Sequence, residues 1–281
     1  MILKKSYLLS SLLVVIGPQI SWGQSVSTLM GGRAAGLGYA SSTLVDEWAL
    51  LNNVGGLAKV EKLNAVFAYD ARPKLPGSNR MAAALSMPVK IGGVGFSLFR
   101  FGDDLYNEQI LSVGYGNQFG ITSLGLKVNY VQYRAEGIGN RSFIGLNFGG
   151  ITQLSKQISI GAYIVNLNQP KLSSIDDERA PTRLVAGISF KASEECIIIS
   201  EVEKELDYDA TIKAGIEYAI HKKIFVRTGF NLQPSSAFFG LGFKAKKIKF
   251  DYALQYNDAL NAAHQASAIY SIEKKKPNND P

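Results

Sequence analysis

The side chains in this chain that could catalyse or ligate are few, and their spacing argues against both. His221 falls in a turn and His264 at a strand start, far apart, with no Cys or carboxylate at metal-ligand spacing. A lipid-facing hydrolase would need a serine paired with one of them, and no spacing marks such a pair. Cys196 is the only cysteine, which excludes an internal disulfide, and a strand start suits it to packing. Asp176-Asp177-Glu178 offers a weak calcium site or a solvated acidic loop, the loop being the simpler account. The run Gly31-Gly32-Arg33-Ala34-Ala35-Gly36-Leu37-Gly38 is glycine-rich as phosphate loops are. However, no strand precedes it and neither nucleotide-binding spacing is met. No catalytic residue, cofactor or metal site is expected.

The polar residues that do form a pattern are Lys127, Asn129, Lys213, Glu217, Arg227, Asn231, Lys244, Lys249, Asp251 and Gln255. Each stands where apolar residues take every second position. In Lys247–Asn257 the apolar set is Ile248, Phe250, Tyr252, Leu254 and Tyr256, and the residues between are polar or small. Period two held over about ten residues fits a strand tilted across a bilayer's hydrocarbon core. One row would meet acyl chains and the other an enclosed aqueous lumen. A charge turned to lipid costs about 2–4 kcal/mol at mid-bilayer, so these ten residues are assigned to the lumen row. There they either neutralise one another as a filling network or line a path.

The same alternation predicts strands at 63–72, 80–90, 93–102, 106–117, 122–134, 141–154, 158–168, 182–192, 196–205, 209–220, 224–233, 236–245, 247–257 and 264–273. That is a transmembrane antiparallel β-barrel of about fourteen strands, spanning 61–273. Pro88 weakens the second strand, and Ile197-Ile198-Ile199 breaks alternation in the ninth. Connections after odd strands include the longest loops, while those after even strands are tight and sit beside lysines such as Lys90, Lys156, Lys191, Lys222 and Lys246. Short turns at one end and longer loops at the other is the asymmetry of such barrels, and an even strand number puts both termini on the turn side. The net charge of +7 then reads as a basic rim and not as a nucleic-acid surface. Tyr106, Tyr133 and Tyr256 near loop ends, and Tyr115, Phe190, Tyr218, Phe225 and Tyr270 near turn ends, are expected in interfacial girdles.

Residues 1–23 carry a signal-peptide layout, with Lys4 and Lys5 before the apolar run Tyr7–Ile16. No later apolar run reaches the roughly 18 residues of a membrane-spanning helix. Residues 24–60 do not alternate. They predict a short helix, Leu44–Asn53, with Thr43 as N-cap and Gly55 or Gly56 as its stop, in a segment tucked into or under the barrel. Residues 274–281 form a hydrophilic tail. Mean hydropathy of +0.04 with 28 glycines suits a barrel whose lipid face is diluted by a polar lumen. A soluble periplasmic β-protein is the competing architecture.

The segment Gly32–Ala58, GRAAGLGYASSTLVDEWALLNNVGGLA, resembles the N-terminal signature of the PorV/PorQ family, FadL-like outer-membrane proteins associated with type IX secretion. The matching positions are Arg33-Ala34-Ala35-Gly36, Asp46 and Asn53-Val54-Gly55-Gly56-Leu57-Ala58, with Val54 where the family has proline. The resemblance implies a plug or hatch built on Arg33, Gly36, Asp46, Asn53, Gly55, Gly56 and Leu57. It implies residence in the outer membrane of a Gram-negative bacterium, with outer-membrane lipid as neighbour and periplasmic termini. It also implies one of two roles. One is a non-enzymatic partner of outer-membrane or secretion-system proteins, which the short loops favour. The other is a channel for hydrophobic or small solutes, with a hydrophobic small molecule as ligand.

Overall fold

The computed structural model describes residues 26–137, 139–172 and 178–272. The signal peptide, Asp176 and Asp177 of the acidic loop, and the hydrophilic tail lie outside the described residues. Fourteen strands follow one another: β1 Leu63–Ala71, β2 Arg80–Pro88, β3 Gly93–Gly102, β4 Tyr106–Phe119, β5 Thr122–Ala135, β6 Gly139–Gln153 and β7 Ile158–Val165, then β8 Arg183–Lys191, β9 Cys196–Glu205, β10 Thr211–His221, β11 Ile224–Asn231, β12 Ser236–Lys244, β13 Ile248–Asn257 and β14 Asn261–Ile272. Each pairs antiparallel with its neighbours in sequence, and β1 closes on β14 with Leu63 opposite Ile272, so the sheet is a closed barrel without edges. At about 3.3 Å per residue, strands of this length tilted by some 45° match an apolar band of about 25 Å.

Two solvents on opposite sides of one sheet explain the alternation. On β13 the exposed residues are Phe250 and Tyr252, whereas Asp251 and Ala253 are buried. The rows continue across neighbours: Phe67, Ala83, Leu98, Leu111 and Tyr130 face one another on the outer wall. The irregular stretch in β9 is an apolar residue in the lumen row. Ile199 is wholly buried inside, against Leu37 and Phe238, while Ile198 faces out. Two of the expected girdle aromatics also face inward. Tyr133 shares the row of Lys127 and Asn129, and Phe225 that of Arg227, because strand parity and not ring chemistry sets the direction.

A fourteen-stranded barrel is too wide to be filled by its own side chains. The N-terminal segment fills it. A short helix, α1, spans Gly32–Gly36 and packs on β11–β14, and a 3-10 turn, Val54–Lys59, packs on β3–β6. The helix expected over Leu44–Asn53 does not form. Those residues make isolated turns, with Ala49 N donating to Asp46 O at 3.2 Å and Leu51 N to Trp48 O at 2.9 Å. An amphipathic helix needs one apolar side and one wet side. Inside the barrel, wall lies on several sides of the segment and only Val45, Asp46 and Glu47 meet the turn-end cavity, so Leu44, Trp48, Leu50 and Leu51 bury themselves in three separate clusters. Thr43 does not cap. Gly55 and Gly56 lie within the 3-10 turn, and Asn53 caps it by accepting from Gly55 N at 3.0 Å.

Candidate functional site: the filled lumen

The charged residues of the lumen meet the N-terminal segment at one hub. Arg33 from α1 donates through Nε and Nη2 to both oxygens of Glu217, at 2.9 and 2.7 Å, and through Nη1 to Asp46 at 3.4 Å. Arg227 bridges the same Glu217, at 2.5 Å, to Asp251, at 2.7 Å. Lys249 pairs with Glu47 beside it. Two planar guanidinium forks sharing one carboxylate fix position as well as charge. Burial pushes the Asp46 carboxyl above its usual range, against the pull of Arg33.

Lys213 ion-pairs with Glu203 at 2.6 Å and lies 3.6 Å from Glu201. Asn231 approaches the Gly38 carbonyl at 2.6 Å, and Gln255 reaches Ser236 Oγ at 3.5 Å. Lys244 belongs to the inward row but is exposed at the turn-end mouth, beside Lys249. Lys127 and Asn129 sit on the far side of the segment, away from the hub.

Sequence reasoning missed two further anchors. Glu201 accepts from the backbone N–H groups of Ser41 and Ser42, at 2.9 and 2.8 Å. Its signal was the acidic row Glu201, Glu203 and Glu205 at period two. Asp70 and Arg80 form a buried pair that also holds Tyr39, whose hydroxyl burial pushes up to about 12, and Gln265. Asp70 and Arg80 face each other across the β1–β2 hairpin, whereas Tyr39 and Gln265 are too far off in the chain to give a local signal.

The other half of the segment is held by shape. Leu57 is wholly buried over Gly95, Gly114 and Gly116, and a Cβ on Gly125 would stand 2.4 Å from the Val54 carbonyl. Gly55 lies against Gly150, backbone to backbone, and in the charged half Gly36 lies against Gly240 in the same way. Asn53 ties this half to the wall through a donor bond to Gly150 O at 3.1 Å, and to the rest of the segment through one to Ser42 O at 2.6 Å. Gly56 packs on Ala49 within the segment itself.

Two cavities flank the hub at the turn end. One of about 190 Å³ lies between Trp48, Phe225, Arg227, Lys249 and Ile269, and one of about 240 Å³ opens among Lys59, Lys62, Lys244, Lys246 and Lys247. The residues with catalytic reach stay apart from all of this. His264 bonds Tyr252 at 2.6 Å on the outer wall, and His221, expected in a turn, is the exposed last residue of β10.

No family model matches the sequence, and no curated protein matches it either. Solved structures do. The chain is similar to the CymD monoaromatic hydrocarbon channel, with a TM-score of 0.67 and 12% identity over 88% of this chain and 99% of that one. The toluene transporter TbuX of Ralstonia pickettii aligns at a TM-score of 0.64 and 12% identity, covering 87% and 98%. The toluene transporter TodX of Pseudomonas putida aligns at 0.64 and 12%, covering 86% and 97%. At this identity the likeness is one of fold: the chain has the closed fourteen-stranded architecture of FadL-like barrels.

Proposed function

We propose that this protein is an outer-membrane channel for small apolar solutes, non-enzymatic, with its N-terminal segment as the hatch in the lumen. The single observation that carries the reading is the two-sided mounting of that segment: held by shape alone against β3–β6, and by shape together with ion pairs against β10–β13. Such a mounting lets one side release while the other stays anchored. The structural neighbours named as hydrocarbon channels and toluene transporters support the same class of solute. The apolar outer wall and the basic turn-end rim support residence in a bacterial outer membrane with periplasmic termini. The secretion-partner role rests on the resemblance of residues 32–58 alone, and none of the neighbours above is named for it.

The test is flux of toluene into liposomes carrying the purified barrel, with and without residues 24–58. The expected result is measurable flux that rises on deletion, while both forms keep the shifted gel migration of an unboiled barrel. Absence of flux in both folded forms retires the channel reading. Co-purification of a secretion component in mild detergent would then favour the partner role.

A further inference from the structure

Beyond the hub, on the loop side of the N-terminal segment, the lumen holds a chamber of about 30 Å³. Lys127 lines it and is 4% exposed, yet makes no hydrogen bond or ion pair with any described residue. Arg183 lines it too. Its Nε has no hydrogen-bond acceptor, and its nearest carboxylate, Glu205, is 4.0 Å away. Two amide oxygens on the polar wall, those of Asn129 and Asn147, are already engaged. Ser112 donates to Asn129 Oδ1 at 2.8 Å, and Asn129 donates to Asn147 Oδ1 at 3.1 Å. Asn147 Oδ1 takes a second bond, from Asn166 N at 3.1 Å. Glu108, the carboxylate on this wall, accepts from the Tyr106 hydroxyl at 2.9 Å and forms no ion pair with Lys127.

The chamber therefore presents an ammonium without an ion-pair partner, a guanidinium N–H without an acceptor and the Asn147 amide. A buried ammonium without a counter-charge is among the costliest groups a fold can carry. Phe99, Ile110, Val131 and Phe143 offer no acceptor, and Thr28, Tyr133 and Asn166, which also line the chamber, bring neutral oxygens and no counter-charge. We propose that this chamber binds one small monovalent anion, a halide or a single carboxylate group, with Lys127 as its principal ligand and Arg183 and Asn147 as further donors. The volume suits that class. Room for one water needs about 10–15 Å³, so the chamber takes a halide or a carboxylate but no aromatic ring. The site is separate from the hub and from solute flux, so its failure would leave the channel reading untouched.

The experiment uses the full barrel in detergent. Crystals soaked in sodium bromide are expected to show an anomalous peak beside Lys127 Nζ, and water alone at that position would overturn the proposal. Thermal unfolding gives the second measurement. Replacing gluconate with bromide or formate at equal ionic strength should raise the wild-type midpoint by about 3 °C. The Lys127→Met variant, which keeps the stem and drops the charge, should lose that rise, and Lys127→Arg should keep it. A rise with bromide alone identifies a halide site, and a rise with formate a carboxylate site. Equal rises in wild type and Lys127→Met would overturn the assignment.

Discussion

The two halves of the N-terminal segment are bound by different physics. Residues 31–47 meet the wall through charges added to close packing: Arg33, Asp46 and Glu47 stand against Glu217, Arg227, Asp251 and Lys249, while Leu37 lies on Gly215 and Gly229. Residues 50–59 meet it through close packing, with Leu50, Val54 and Leu57 pressed onto glycines of β3–β5. Ion pairs can exchange partners and respond to salt, whereas a packed side chain has one place to go. A lumen that had only to be filled would need no charges, because apolar packing of equal volume is often as stable. On the proposed channel reading, the charged half is the side expected to release and the packed half the side expected to stay anchored.

That contrast can be broken in order of expected effect, each time by following loss of shifted gel migration with temperature. Glu217→Gln leaves Arg33 and Arg227 facing a neutral amide, and should cost about 3–5 kcal/mol. The double variant Arg33→Met with Glu217→Gln should regain a large part of that loss, because it removes the unpaired charge on the segment. No recovery would mean that the hub acts by shape. Leu57→Ala should cost about 3 kcal/mol, and no second substitution on the charged side should restore it. Gly125→Ala should cost about 2 kcal/mol by driving a Cβ into the Val54 carbonyl. Lys249→Met should change stability by less than about 1 kcal/mol, with the difference vanishing at high salt, because the Lys249 side chain is one-third exposed.

Strand number and facing were legible because alternation is local. Phe250 and Asp251 point opposite ways wherever the strand lies, and lipid on one side with water on the other decides which is which. The places where reading from pattern failed are equally physical. Tyr133 and Phe225 look like girdle residues by type and depth, yet their parity turns them into the lumen. Leu44–Asn53 has the composition of an amphipathic helix, but the lumen offers its apolar side chains wall in several directions, so they split among three clusters and do not form one face.

By itself, then, the sequence determined a closed fourteen-stranded wall, its outward apolar row and its inward polar one, since each follows from the residue next door. Only the tertiary structure decided which inward residues touch. Arg33 reaches Glu217 across 184 positions, Glu201 reaches Ser42 across 159, and Lys127 is left without an ion-pair partner among the described residues. No periodicity reports such contacts, because closing the barrel brings together residues that the chain holds far apart.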